Sequence, residues 1–395
     1  MSATVERSAA DQQIASATTL PATWYADEAH HRNELAAVFA RGWSCVGVVD
    51  DVPPGGWMAT TAGAVPVVVT RDRDGALHAF LNACRHRGAP VAEGCGESRH
   101  LTCPYHAWSY RLDGSLATSS GMAGAIGFDP EDFGLLEVGV ATWSRFLFVC
   151  PLEQPPVFDL GPLAAAIDPY PDDLQLVWRK SVERGFNWKL LLENYSENFH
   201  TPFVHPQLTW QRWEYPIIGQ GSIALAWDRP MFPSNAVEHA LAGSSPMEPG
   251  WADVAVDQID DIFLAGTYFT VFPNLLVSAF PRYTTAFWLT PTAVDRTVVS
   301  YARFWSDEVD AARREQDLEA SEDVAAQDLD ICEAMQLTFS GGVDQRGRLS
   351  PEHETGVFHV HQLVRDALAT RHAAIDPSVT SAVARPAVRG VGSDT

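Results

Sequence analysis

Basic residues are scarce in this 395-residue chain. Lys and Arg number 27 against 50 Asp and Glu, a formal net charge of −23. So acidic a chain repels nucleic acid and anionic membranes, and neither is expected as a partner. Long apolar runs are absent too: nothing approaches the roughly 18 consecutive apolar residues of a membrane span. The first twenty residues carry Glu6 and Asp11 and no apolar core, which argues against a secretory signal. Cysteine is sparse, with six residues at Cys45, Cys84, Cys95, Cys103, Cys150 and Cys332, too few for a disulfide scaffold. No internal repeat and no nicotinamide or flavin motif is visible. Three of the six cysteines, however, fall within residues 84–103. In a chain expected to be cytoplasmic, such clustering points to metal binding or catalysis.

The length suits two or three domains. Residues 1–20 are polar and aperiodic and read as a disordered lead-in. Leu35, Val38 and Phe39 predict one amphipathic helix between Asp27 and Arg41. From Trp43 to Pro151 the pattern is short β-rich runs: 43–49, 65–69, 77–81 and 146–149. They are separated by turn signals such as Pro53-Pro54-Gly55-Gly56 and Asp113-Gly114, which together predict a small all-β domain. Prolines 151, 155, 156 and 162 mark a boundary. Beyond it strands are expected over 178–182, 268–280, 284–289 and 297–304. A helix is expected over Asn187–His200 and a long charged one over 307–340. The tail after about residue 376 lacks periodicity.

Two Cys–His pairs stand out. Cys84-Arg85-His86 is followed, after sixteen intervening residues, by Cys103-Pro104-Tyr105-His106. Two thiolates and two imidazoles suit either a tetrahedral zinc or a Rieske [2Fe–2S] centre. Structural zinc ligands usually come in like pairs, Cys with Cys and His with His. Mixed pairs on two loops instead supply two thiolates to one iron and two imidazoles to the other. Cys95, between the pairs, has no ligand-like spacing.

A second constellation lies in the segment 187–206. His200 and His205 stand five residues apart, with Glu197 three residues before His200 on the same face of the expected helix. Pro202 is expected to end that helix, with His205 in the turn beyond. Two histidines and a carboxylate on one face of an iron leave open positions for O2 and substrate. Asp323, Asp328 and Asp330, on the long charged helix, are the candidate carboxylates.

With CRHRG at 84–88, CPYHAWSY at 103–110 and NWKLLLENYSENFHTPFVHP at 187–206, the chain resembles the oxygenase (alpha) subunit of Rieske non-haem iron oxygenases from about Leu20 to Leu363. Phe272-Pro273-Asn274, QDLDICEAMQ at 327–336 and GRLSPEHETGVFH at 347–359 are most similar to the branch of choline monooxygenase and glycine betaine demethylase. The resemblance implies an α+β chain, with an all-β Rieske [2Fe–2S] domain joined to a helix-grip catalytic domain on a large antiparallel sheet. The implied division is 1–20 disordered, 21–42 an N-terminal helix on the catalytic domain, 43–155 Rieske, 156–376 catalytic and 377–395 a flexible tail. It implies Cys84, His86, Cys103 and His106 on the cluster, and His200, His205 and Asp328 on a mononuclear Fe(II). Glu197 is implied as an electron bridge between subunits of a head-to-tail homotrimer. Three departures stand out: Ala107 where the family usually has Gly, Asn198-Phe199 for the commoner Cys-Tyr, and Leu337-Thr338 for a basic residue and Gly.

The activity this implies is O2-dependent hydroxylation of a small organic molecule, with NAD(P)H electrons arriving through a separate reductase or ferredoxin. A quaternary ammonium or betaine-like compound undergoing N-demethylation is the expected substrate. Trp210, Trp213, Tyr268, Phe269, Phe272, Phe287 and Trp288 are candidates for an aromatic cage. The same aromatics would suit an aromatic-ring hydroxylase or O-demethylase, and a Rieske electron carrier without oxygenase activity is the alternative of another class. Residues 71–111 hold six Arg and four acids, a local +2 inside a −23 chain. That basic island suits an acidic redox partner.

Overall fold

The computed structural model describes residues 9–160, 174–197, 199–205, 213–214, 217–220, 223–230, 267–280, 283–344 and 346–373. Residues 9–20 depart from the disorder expected of them. Ala9–Ser16 form a helix (α1) that buries Ile14 against Leu349 and Val357. Ile14 and Leu20, too few to register as periodicity, anchor this polar segment. The helix expected from 27 to 41 forms over residues 28–39, with a short helix before it. Thr23–Ala26 (α2) and Glu28–Glu34 (α3) meet at Asp27, whose side chain accepts the His30 N–H at 2.6 Å. A π-turn over Leu35–Phe39 follows. Its extra residue turns Ala37, Val38 and Phe39 together into the core.

The first ten strands are short and antiparallel: β1 (Ser44–Val48), β2 (Gly56–Ala62), β3 (Val65–Arg71), β4 (Leu77–Leu81), β5 (Cys95–Glu97), β6 (His100–Thr102), β7 (Ser109–Arg111), β8 (Leu116–Thr118), β9 (Gly139–Trp143) and β10 (Phe146–Cys150). They make sheets of order β4-β3-β2-β5, β6-β7-β8 and β1-β10-β9. The runs of Val67, Val68 and Val69 and of Phe146 to Cys150 are buried on both faces, which is why they read as continuous apolar stretches rather than alternating ones.

A larger sheet follows, built from β11 (Gln175–Arg184), β12 (Trp213–Glu214), β13 (Ile217–Gln220), β14 (Ile223–Pro230), β15 (Thr267–Val271), β16 (Leu275–Phe280), β17 (Tyr283–Ala293) and β18 (Arg296–Trp305). Its order is β11-β18-β17-β16-β15-β14-β12, with β13 on β14, and every pairing is antiparallel. The α+β architecture with a large antiparallel sheet is therefore present. The strand expected over 268–280 is a hairpin instead, because Pro273 cannot donate a ladder hydrogen bond and the chain turns at 272–274.

Alternation along these strands separates two cores. Phe269, Val271, Leu275, Val277, Ala286 and Trp288 face Trp43, Cys45, Phe146 and Phe148 of the β1-β10-β9 sheet. Leu276, Leu289, Val299 and Tyr301 face the helices. Those helices are α4 (Trp188–Tyr195), α5 (Thr201–Val204), α6 (Ala311–Ser340) and α7 (Thr355–Ala373). Along α6, Asp317, Leu329, Cys332 and Gln336 are buried, the last three at spacings of three and four that form a narrow stripe. No helix among the described residues is long and apolar enough to cross a membrane.

Candidate functional site: two donor sets

The two Cys–His loops have the same backbone design. In the first, Cys84 N–H donates to the Ala89 carbonyl and Gly88 N–H to the Cys84 carbonyl, both at 2.8 Å. In the second, Cys103 N–H donates to Trp108 at 2.8 Å and Ala107 N–H to Cys103 at 3.1 Å. Each loop closes on a residue in the left-handed region, Gly88 at φ +77° and Ala107 at φ +59°. The repeat presents each cysteine inward and its histidine outward. Cys84 and Cys103 are buried in one core with Trp108 and Tyr110. His86 and His106 lie nearer the surface with ring centroids 4.7 Å apart, and Trp108 stacks on His86.

This donor set fits a Rieske cluster: two thiols in a dry interior and two imidazoles side by side at its edge. Tyr110 supports it, its hydroxyl 3.2 Å from Cys84 Sγ while accepting the Arg85 N–H at 2.9 Å. Burial and the Cys84 hydrogen bond push the Tyr110 pKa up, so the phenol stays a donor. Desolvation, with His86 and Arg87 nearby, lowers the His106 pKa and favours the neutral, metal-binding imidazole. Cys95 is exposed on β5 and does not join the two pairs. Sequence reasoning did not single out Tyr110; its signal is its place in β7 directly after the second loop.

The second donor set comes from three elements. α4 ends at Tyr195, short of the helix expected to run to His200. Glu197 and His200 meet all the same, but through a turn. Glu197 Oε2 accepts the His200 N–H at 3.1 Å and Oε1 lies 2.5 Å from His200 Nδ1. Pro202 does not end a helix either. It sits in the first turn of α5, where its missing N–H leaves no bond unmade. α5 lifts His205 back beside His200, their rings 5.2 Å apart.

From α6, Asp328 Oδ1 lies 3.3 Å from His200 Nε2 and 2.9 Å from His205 Nε2. One donor atom from each of the three residues falls within 4.8 Å of the others, a set able to hold a metal ion. Burial opposes charge on His200, but hydrogen bonds to Asp328 and Glu197 outweigh it and raise its pKa to about 9. Burial likewise works to raise the Asp328 pKa, and the hydrogen bonds from His200 and His205 hold it below the ordinary carboxylate value. The two carboxylates thus favour positive charge at this spot, whether a proton or a metal ion.

The other carboxylate candidates are elsewhere. Asp330 pairs with Arg184 at 2.6 Å, beside the Arg184–Glu333 pair, and Asp323 is exposed. Gln327, which the sequence did not suggest, places Oε1 2.7 Å from His205 Nδ1.

The aromatic candidates divide by sheet face. Phe269 and Trp288 are corrected: both are buried between the large sheet and the β1-β10-β9 sheet, on the face away from the histidine-bearing helices. Phe272 is buried at the hairpin against Trp188. Phe287 lies on the helix face, partly exposed, 5.8 Å from Tyr195 and 4.8 Å from Tyr301. Trp210 and the side chains of Trp213 and Tyr268 lie outside the described residues.

Both donor sets lie within segments that match known protein families. A family model described as "Ring hydroxylating alpha subunit (catalytic domain)" matches residues 171–370, and a Rieske [2Fe-2S] domain model matches residues 42–129. The chain belongs to the Rieske non-haem iron oxygenases. Such oxygenases carry a [2Fe–2S] cluster and a mononuclear iron and use O2. The oxygenase is similar to the choline monooxygenase of Spinacia oleracea, at 27% identity over 373 residues, covering 89% of this chain and 79% of that protein. A glycine betaine monooxygenase oxygenase subunit of Chromohalobacter salexigens is 35% identical over 195 residues, covering 48% of this chain and 44% of that one.

Among solved structures, the quaternary ammonium Rieske monooxygenase CntA in complex with L-carnitine superposes with a TM-score of 0.73 at 23% identity. It covers 92% of this chain and 99% of that one. Naphthalene 1,2-dioxygenase from Rhodococcus sp. gives 0.68 at 20% identity, covering 89% and 94%. At these identities the two structures share the fold of this oxygenase.

Proposed function

We propose that this oxygenase is the terminal component of a multicomponent system and that it hydroxylates an N-methyl carbon of a quaternary ammonium or betaine-like compound. The observation that carries the oxygenase reading is the convergence of His200, His205 and Asp328 from three separate elements. Cys84, His86, Cys103 and His106 would hold the cluster and the His200 set the mononuclear iron; when bound, these groups supply single-electron transfer and O2 activation. Glu197 holds the His200 ring by its Nδ1, and Asp328 lies between the two imidazoles.

Cys84 and Cys103 pack in one core, whereas the helices that carry the His200 set pack in another. That separation supports a head-to-tail homotrimer in which Glu197 of one subunit meets the cluster loops of the next. Electrons would come from a separate reductase or ferredoxin. Arg87, lying over the Tyr105 ring, and the exposed Tyr105, tilted against His106, are a suitable landing site for an acidic donor. All six cysteines are free, as suits a cytoplasmic, reducing setting.

The substrate reading rests on Tyr195, Phe287 and Tyr301, which cluster on the helix face of the sheet. Aromatic faces favour a quaternary ammonium cation. The names of the similar proteins, choline and glycine betaine monooxygenases, point the same way. Overall, one oxygen atom of O2 enters an N-methyl C–H bond and the other leaves as water, with electrons from the reductase and protons from solvent. The N-hydroxymethyl product then loses formaldehyde and a proton to give the tertiary amine.

The test has two arms. The purified protein should contain about three irons for each two acid-labile sulfides, falling to about two in His205→Ala and Asp328→Ala while Asp330→Ala stays at the parent value. A colourless, zinc-loaded protein would overturn the oxygenase reading. With a compatible reductase, betaines should give formaldehyde coupled to NADH use. Coupled turnover of aromatic acids instead would replace the substrate reading with ring hydroxylation or O-demethylation.

A further inference from the structure

The two histidines beside Asp328 are held from behind by different chemistry. His200 Nδ1 faces the carboxylate of Glu197, whereas His205 Nδ1 faces the carboxamide oxygen of Gln327 at 2.7 Å. Gln327 is the residue directly before Asp328 on α6, so a single turn of helix supplies both the carboxylate in front of His205 and the acceptor behind it. His205 is otherwise enclosed, with its side chain 2% exposed. Water cannot readily replace a lost partner at so buried a nitrogen.

We propose that Gln327 is a positioning residue that fixes the tautomer of His205. With Oε1 toward the ring, Gln327 keeps a proton on Nδ1, so that Nε2, which faces Asp328, is the nitrogen left to give up its proton and ligate when a metal ion is bound. The opposite orientation of the amide would present an N–H donor to Nδ1, place the ring proton on Nε2 and block coordination. Gln327 therefore biases His205 toward the ligating tautomer. Because its acceptor is neutral while that of His200 is anionic, it also leaves His205 the weaker electron donor of the pair. The inference rests on the reading of His200, His205 and Asp328 as the iron site.

The experiment is Fe(II) titration of protein with its cluster intact but stripped of mononuclear iron, against a competing chelator. It is joined to the electron paramagnetic resonance spectrum of the nitric oxide adduct and to the melting temperature. Gln327→Met keeps the length but has no oxygen acceptor, and its Fe(II) affinity should fall about 10- to 100-fold with the visible spectrum of the cluster unchanged. Gln327→Glu restores an acceptor that cannot flip. Its affinity should return toward the parent value while the rhombicity of the nitrosyl signal changes, which a purely structural role would not produce. Should Gln327→Met fail to fold, Gln327→Ala takes its place.

Parent-like affinity and spectrum in the variant lacking the acceptor overturn the proposal, as does failure of a folded Gln327→Glu to recover binding. His205→Ala separates the two levels. If it binds Fe(II) as the parent does, the iron-site reading itself fails, and Gln327 with it.

Discussion

The side-chain amide of Asn274 pairs with both backbone groups of Cys45. Asn274 Oδ1 accepts the Cys45 N–H at 2.9 Å, and Nδ2 donates to the Cys45 carbonyl at 2.8 Å and to the Leu289 carbonyl at 3.0 Å. Asn274 is buried at the hairpin between β15 and β16, while Cys45 lies on β1 at a register shift against β10. One residue thus takes the place of a strand neighbour between the large sheet and the cluster-bearing half.

Asn274→Ala leaves three buried backbone groups unpaired. Each costs about 1–3 kcal/mol, though not additively, so a loss of roughly 3 kcal/mol in denaturant unfolding is expected. Asn274→Asp should be no better, since it sets an oxygen against the Cys45 carbonyl. An unchanged unfolding midpoint in Asn274→Ala would show that the staple contributes nothing.

Lys189 and Glu34 form an ion pair at 2.7 Å with both side chains wholly buried. Lys189 Nζ also donates to the Trp24 carbonyl and to Asn187 Oδ1, and Glu34 accepts the Trp188 indole N–H. Burial pulls the Lys189 pKa down. It works to raise that of Glu34, yet Lys189 and His30 hold Glu34 below its ordinary value, so the carboxylate stays charged. Lys189→Met strands that charge and should cost about 3–5 kcal/mol. Adding Glu34→Gln should return part of the loss. A double-mutant cycle read by thermal unfolding measures the coupling, and strictly additive effects would contradict it.

His31 is buried in α3, and neither ring nitrogen has a hydrogen-bond partner among the described residues. Burial lowers its pKa from 6.5 to about 4, with Lys189, His30 and Arg32 adding to the shift and Glu34 opposing it. The unfolded chain therefore takes up this proton first as pH falls. The stability His31 contributes is complete above about pH 6.5 and is lost progressively toward pH 4, by about 3 kcal/mol. His31→Leu should leave the melting temperature at pH 7.5 nearly unchanged and flatten its decline between pH 6.5 and 4.5. An acid limb of the same steepness would count against the assignment.

Ala107 closes the second cluster loop at φ +59°, where Gly88 closes the first at φ +77°. A Cβ is disfavoured in this region, whereas glycine enters it freely. Ala107→Gly should stabilise the loop by roughly 0.5–1 kcal/mol after allowing for the greater freedom of glycine when unfolded. Ala107→Val, branched at Cβ, should destabilise it. Heating while following the visible absorbance of the cluster reads the effect at the site itself, and a lower bleaching temperature in Ala107→Gly would refute the strain.

Much of the chemistry is legible without coordinates because it rests on short spacings. Cys84 to His86, Cys103 to His106 and His200 to His205 are each within a few residues, so local backbone geometry alone brings the donors near one another. Strands such as Leu77–Leu81 and Ser44–Val48 are legible for a similar reason: burial writes a run or an alternation into the residues themselves. Less legible is where local elements stop. The break after Tyr195 and the new start at Thr201 depend on Glu197 capping His200 and on Pro202 sitting in a first turn, choices that periodicity does not encode.

What the sequence determined, then, is the donor types and their pairing and the two-part organisation. What only the tertiary structure decided is which long-range partner completes each site. Asp323, Asp328 and Asp330 are near-equivalent as letters; the facing of α6 puts Asp328 between the histidines and Asp330 on Arg184. Phe287 and Trp288 are adjacent in sequence, yet the pleat of β17 sends one toward the helices and the other into the core between sheets. The reason is physical: a carboxylate or an aromatic ring has no local signature of its neighbours, because helix rotation and sheet pleat assign its direction only once the two cores have packed.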